Sequence, residues 1–177
     1  RPTGPAIAAV IQALTERPYG VDFFQAVRWL ENQRADFPRA GASRRPQEDA
    51  VRFHQHITLG FPPSALHRFR EELDGDRTSW DLWVSFLGLL GPEGPMPLSV
   101  TEFVYDRLRN QNDTTLAAFL DIFNHRLISL FYRAWARSEQ TVSHDRPEED
   151  WYADYVGSFL GGGGPAFHGR DLLNDDL

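Results

Sequence analysis

Apolar residues recur at helical spacing over residues 5–17, where Ile7, Val10, Ile11 and Leu14 share one stripe, and Pro18 and Gly20 end the pattern. A second helix is predicted from Asp22. The aspartate and Gln25 form a capping-box pair, Phe23, Val27 and Leu30 make the buried stripe with Phe24 widening it, and Arg28 and Glu31 are expected to face outward. Residues 33–49 carry no period and hold two prolines and four arginines, which marks a loop. Alternation then replaces the helical period. Val51, Phe53, Gln55, Ile57 and Leu59 alternate with His54, His56 and Thr58, the pattern of a half-buried strand ended by Gly60 and Pro62-Pro63. Residues 64–73 fit either a strand or a short helix, residues 73–79 read as a turn, and Trp80 to Leu87 read as a central strand.

The next eleven residues, Gly88 to Leu98, hold three glycines and three prolines and predict a loop. Leu89, Leu90, Met96 and Leu98 make that loop apolar, so it must pack against something. Ser99 and Glu102 form a second capping-box pair ahead of a helix ending near Asn110. The longest helix is expected over 114–137. Leu116, Phe119, Leu120, Phe123, Leu127, Leu130, Phe131, Ala134 and Trp135 form its stripe, widened by Ile122 and Ile128. A helix so apolar is either central to the core or sandwiched between partners. Residues 144–150 read as a linker, and Trp151, Tyr155 and Phe159 mark a short aromatic helix. The run Gly161–Gly164 reads as a hinge, which divides the chain into a main domain over 1–160 and a following segment over 161–177. The absence of an initial Met and a capping Asn174 near the end read as a piece cut from a longer chain. Together these elements predict an α+β fold, mostly helical, with a small antiparallel sheet near residues 51–87.

Composition narrows the chemistry. The 177 residues include no cysteine, which excludes disulfides, thiolate metal sites and a cysteine nucleophile. No run of 18 apolar residues is present to span a membrane. The 18 basic residues are all arginine and face 25 acids, for a net charge of −7. Eight arginines meet six acids over residues 1–60, whereas two meet nine over 138–177, so the front is weakly basic and the tail acidic. A nucleic-acid binder needs a basic stripe, and none runs along this chain. Arg34, Arg39, Arg44 and Arg45 in the first loop read as a solvated stretch, with an anion or partner patch as the alternative.

Catalytic constellations are sparse. His54 and His56 point to one side of a strand and would bind zinc only with a third ligand such as His67 or a carboxylate. Asp121 and His125 lie one helical turn apart and face each other, as a base with its orienting group or as a structural pair. The Gly/Pro loop lacks the Lys-Ser/Thr of a phosphate loop, and its prolines remove N–H donors. The residue-level alternatives are therefore a metal-dependent hydrolase built on His54, His56 and Asp121 or His125, or a small-ligand module in the Gly/Pro loop.

The run from Leu120 through Asn124-His125-Arg126 to Trp135 resembles the hallmark helix of the TssG family, also called ImpH or VasB, of type VI secretion baseplate proteins. Phe23 to Glu31, Val51-Arg52-Phe53, Leu59 to Ser64, Val84 to Leu98 and Gly164 to Arg170 agree in the same order. The resemblance spans most of the chain and covers the N-terminal half of such proteins. It implies a scaffold that joins two copies of TssF and one TssE in a wedge around the central spike, with TssK linking the wedge to the membrane complex. It implies a bacterial cytoplasmic location at the inner membrane without membrane insertion, and no catalysis, metal or cofactor. Trp83, Leu89, Leu90, Met96, Phe131 and Trp135 are the expected core or partner-interface anchors.

Overall fold

The computed structural model describes residues 4–45, 48–74 and 77–159. The elements are α1 (Gly4–Glu16), α2 (Phe23–Gln33), β1 (Arg52–Gln55), β2 (Leu66–Asp74), β3 (Arg77–Val84), α3 (Leu98–Asn110), α4 (Thr115–Ala136), α5 (Gln140–His144) and α6 (Trp151–Phe159). Short 3-10 turns occupy Pro18–Gly20 and Pro147–Glu149. The chain divides into two compact units, one ending at Ala134 and the other beginning at Trp135. The Gly161–Gly164 run, Asn174 and the division expected at residue 160 lie outside the described residues.

The α+β expectation holds, but the sheet is mixed rather than antiparallel. The strand order is β1-β3-β2, with β2 antiparallel to β3 and β1 parallel to it. Residues 64–73, which fit either a strand or a short helix, fall mostly in β2, and β3 is central as expected, although it begins at Arg77, inside the expected turn, and stops at Val84, three residues short of Leu87. Strand β1 is shorter than its alternation suggested, and its pairing ends after the His56 N–H bonds the Val84 carbonyl.

One face of the sheet forms the core with α2. Phe53, Phe69, Leu82 and Val84 are buried there. The Phe23 ring meets Phe53, Phe86 and Tyr132 at centroid separations of 6.1, 4.9 and 6.3 Å. Asp22 caps α2 as expected, its Oδ1 accepting the Gln25 N–H at 3.1 Å. The Gly/Pro loop packs into a second core, where Leu90 is buried with Val104 and Leu120 and Leu89 and Met96 lie against them. The predicted cap at Ser99 is absent. Pro97 precedes α3, no side chain caps it, and Ser99 lies within the helix. Residues 144–150 are not a plain linker, since α5 ends there and a 3-10 turn follows. In this second unit Asp150 caps α6, accepting the Tyr152 and Ala153 N–H groups.

Glu31 overturns its expected outward orientation and is only 1% exposed. It lies four residues after Val27 and so shares the buried face. Its carboxylate accepts the Tyr132 hydroxyl at 3.1 Å and the Ala40 N–H at 2.7 Å. Burial, followed by the charge of Glu31, raises the Tyr132 pKa, so the phenol stays a donor. Arg34 likewise leaves the solvated loop. Its guanidinium lies 4.0 Å over the Trp80 ring and donates to the Ala50 and Thr78 carbonyls.

Replacing Tyr132 by Phe removes a donor from a buried carboxylate and is expected to cost about 1.5–3 kcal/mol in chemical denaturation.

Candidate functional site: the two faces of helix α4

Helix α4 turns its polar residues inward and its apolar stripe outward. Of the two expected placements, central to the core or sandwiched between partners, the first holds only for Leu120 and Ile128 of the stripe and its flanks, while most of the others are exposed. Leu120, Asn124, Ile128, Ser129 and Tyr132 are the buried residues. Phe119, Ile122, Phe123, Leu127, Leu130 and Phe131 are between 41 and 66% exposed.

The inward arrangement follows from the free edge of β1. Pairing with β3 satisfies one edge and leaves the Phe53 and Gln55 N–H groups pointing the other way. Phe53 N–H donates to His125 Nδ1 at 3.1 Å, and Gln55 N–H donates to Asp121 Oδ1 at 3.0 Å. Four helical residues rise about 6 Å, close to the roughly 6.6 Å between strand residues two apart. The i, i+4 pair therefore matches the ladder spacing and takes the place of a fourth strand. Asp121 and His125 do share a side of the helix, but each bonds the strand. With Nδ1 accepting, His125 is the Nε2–H tautomer and donates to Asp49 Oδ2 at 3.0 Å.

Asn124 lies between these two and extends the seam. Its Oδ1 accepts the Leu89 N–H at 3.1 Å, and its Nδ2 donates to Gln55 Oε1 at 3.3 Å and Asp121 Oδ1 at 3.1 Å. Gln55 Oε1 also accepts the Leu90 N–H at 3.0 Å, so its buried amide fixes the Gly/Pro loop. A Cβ on Gly88 would sit 2.1 Å from Gln55 Cδ, which explains why a glycine stands there.

On the outer sheet face His54 donates from Nδ1 to Asp121 Oδ2 at 2.9 Å and from Nε2 to Asp81 Oδ1 at 3.2 Å. Burial opposes charge on this ring, but the two carboxylates outweigh it and raise the pKa to about 9. The imidazolium stacks on Trp83 at 4.7 Å, and Arg68 and Arg70 cover the same indole. Arg70 also donates to Asp81 at 3.0 Å, and its hydrogen bond and that of His54 hold the carboxyl low despite its burial. His56 instead stacks on His67 at 3.4 Å, and burial, then His67, lowers its pKa to about 4. His54 and His56 thus serve different partners. Among the described residues no group of three His, Cys, Asp or Glu side chains could hold a metal.

The expected anchors fall in distinct places. Trp83 lies between His54 and the two arginines, and Leu89, Leu90 and Met96 pack in the second core. Phe131 is exposed along one edge while its ring meets Phe24 and Phe86, each at 5.7 Å. Trp135 is half-buried and begins the second unit. Phe119, Ile122, Phe123, Leu127 and Leu130, members of the expected stripe and its flank, form an exposed apolar surface. Beside the Gly/Pro loop, a cavity of about 130 Å³ is lined by Gln55, His56, Phe86 and Gly88 among others. That is well below the roughly 300–1,000 Å³ of small-molecule sites, so the ligand-module alternative gains nothing.

The family described as Type VI secretion, TssG matches the chain over residues 17–177. No curated protein and no solved structure matches it.

The orientation of α4 inverts the usual cost of substitution. Asp121→Ala leaves the Gln55 N–H without its acceptor and takes away one of the two carboxylates on His54, and is expected to cost about 1–3 kcal/mol, whereas Leu127→Ala should stay within about 0.5 kcal/mol, both by denaturant titration. His54 gains affinity for protons on folding, from an ordinary 6.5 to about 9. Its contribution is therefore complete below pH 6.5 and lost as pH rises through about 9. The difference in melting temperature between the wild type and His54→Gln is expected to narrow steadily from pH 7 to pH 10.

Proposed function

The chain belongs to the TssG family of type VI secretion baseplate proteins, and we propose that it acts there as a structural, non-enzymatic subunit of the wedge. In this reading it holds neighbouring subunits by protein–protein contact, with TssF as its main partner and TssE and TssK as further ones. The assembly sits in the bacterial cytoplasm, near the central spike and docked at the inner membrane. No described helix is long and apolar enough to cross a membrane.

The observation that carries the proposal is the outer face of α4. Six large apolar side chains lie exposed on one helix whose opposite side is fully engaged. Contiguous apolar surface of this kind marks an interaction site, because leaving it in water forgoes stabilisation that a partner would supply. The rigid seam beneath supports that role, since Asp121, Asn124 and His125 fix the helix to β1 and the Gly/Pro loop. Aromatic residues set on a rigid support bind with little ordering cost. Phe131 belongs to this surface along its exposed edge, backed by Phe24 and Phe86.

Phe123→Asp tests the proposal. Phe123 is 50% exposed, so the melting temperature of the chain should change little. Co-purification with co-expressed TssF is expected to weaken by at least about 30-fold, the size of one interface hot spot. Wild-type recovery of the complex would overturn the assignment of this face.

A further inference from the structure

We infer that the segment covering α4 is an amphipathic helix from another baseplate chain, with carboxylates along one flank that meet an arginine border made by Arg44, Arg45 and Arg126. This rests on the reading of the α4 outer face as the partner contact. It adds the partner's chemistry and its orientation.

The shape of the surface selects a helix. Phe119, Phe123, Leu127 and Leu130 follow one another at spacings of four, four and three, and Ala134 continues the line four residues on. At 1.5 Å per residue the strip runs about 22 Å along a straight axis. A narrow apolar line of that length fits the stripe of a second helix packed at a shallow angle.

Charge selects the flank. Up to Ala134 the charged side chains of α4 are Asp121, Arg126 and Arg133, and Asp121 is turned inward to His54 and β1. The remaining two are cations. Both reach the Gly41 carbonyl, Arg133 at 2.9 Å and Arg126 at 3.4 Å, and so fasten the preceding loop along this border. Three and four residues beyond Gly41 the loop presents Arg44 and Arg45, both exposed. Glu48 and Asp49 are the nearby acids in sequence; Glu48 Oε2 accepts the backbone N–H groups of the same two arginines at 3.0 and 3.3 Å, and Asp49 is taken up by Ser43 and His125. On the other side the strip is bordered by rings, where Phe131 meets Phe24 and Phe86. In a chain of net charge −7, Arg126 thus sets a cation beside the strip next to the exposed Ile122, with Arg44 and Arg45 on the loop fastened along that side, whereas the other side is apolar.

That asymmetry discriminates among occupants. Nucleic acid offers phosphates but no apolar ridge for the phenylalanines. A second copy placed symmetrically would bring the same arginines to both sides of the contact. Helix α6 of a second copy offers exposed Trp151 and Tyr155, but its described residues, Trp151–Phe159, carry a single carboxylate, Asp154, which does not line a flank. An acid-flanked helix of three turns or more from a different subunit satisfies both borders, and carboxylates facing one side fix which way it runs.

The test measures binding of the full chain to purified TssF at 50 and 500 mM NaCl. R44E/R45E is the primary variant, because neither side chain supports the seam, and R44E/R45E/R126E is the stronger one. Melting temperature reports folding of each. The expected result is a loss of at least tenfold at 50 mM salt, mostly in association rate, that shrinks towards wild type at 500 mM. Phe123→Asp should weaken binding at both salts. Wild-type affinity of the arginine variants at 50 mM salt would overturn the acidic flank while leaving the apolar contact standing. Wild-type affinity of Phe123→Asp would overturn the contact itself. Self-association of the chain without TssF, abolished by Phe123→Asp, would assign the face to a second copy and also overturn the inference.

Discussion

The two hydrogen bonds from the β1 edge to α4 are the constraint on which the rest of this fold depends. A three-stranded sheet with a parallel edge strand leaves N–H groups that must be satisfied, and an open edge invites pairing with other chains. Here Asp121 and His125 close that edge with side chains instead of a strand. Once they do, α4 lies along β1 with no rotational freedom. Asn124 reaches the Gly/Pro loop, Tyr132 reaches Glu31 on α2, and Arg126 and Arg133 reach Gly41. The outward direction of the apolar stripe follows from these bonds.

A seam of this type is specific where an apolar one is adaptable. Gln55, Asn124 and Glu31 are buried polar residues whose partners are each supplied by a different segment. A half-made network of this kind is worse than none, so the arrangement discriminates sharply against shifted packings. That rigidity suits a surface that must present aromatic side chains in one fixed register to its neighbours.

Much of the local structure was legible in the sequence. The alternation in Val51 to Gln55, the central position of the Trp80 strand, the Asp22 cap and the helical periods all rest on near-neighbour physics, and the structure bears them out. What was not legible depends on distant partners. The stripe from Leu116 to Trp135 gave a helix but not its direction, because the apolar moment alone favours burying phenylalanine. The donors that draw Asp121 and His125 inward lie 66 and 72 residues away in sequence. Glu31 was misread for the same reason, since its hydroxyl partner is Tyr132, 101 residues on. The parallel pairing of β1 was equally hidden, because residues 51–59 read the same in either orientation. The hallmark helix is recognisable as a family signature even though its periodicity leaves open which side meets the core.

The long reach of the seam also bears on the order of synthesis. Strand β1 leaves the ribosome well before α4 exists, and Phe53 and His125 are separated by 72 residues. At about 5–20 residues per second the gap lasts roughly 4–14 s. During that interval the hairpin of β2 and β3 can form and accept β1, but the outer edge of β1 has no cover. The nascent chain therefore passes through a stage in which its most pairing-prone backbone is open. When α4 emerges to close it, the same helix brings the apolar stripe out to the surface, so one exposed liability is exchanged for another.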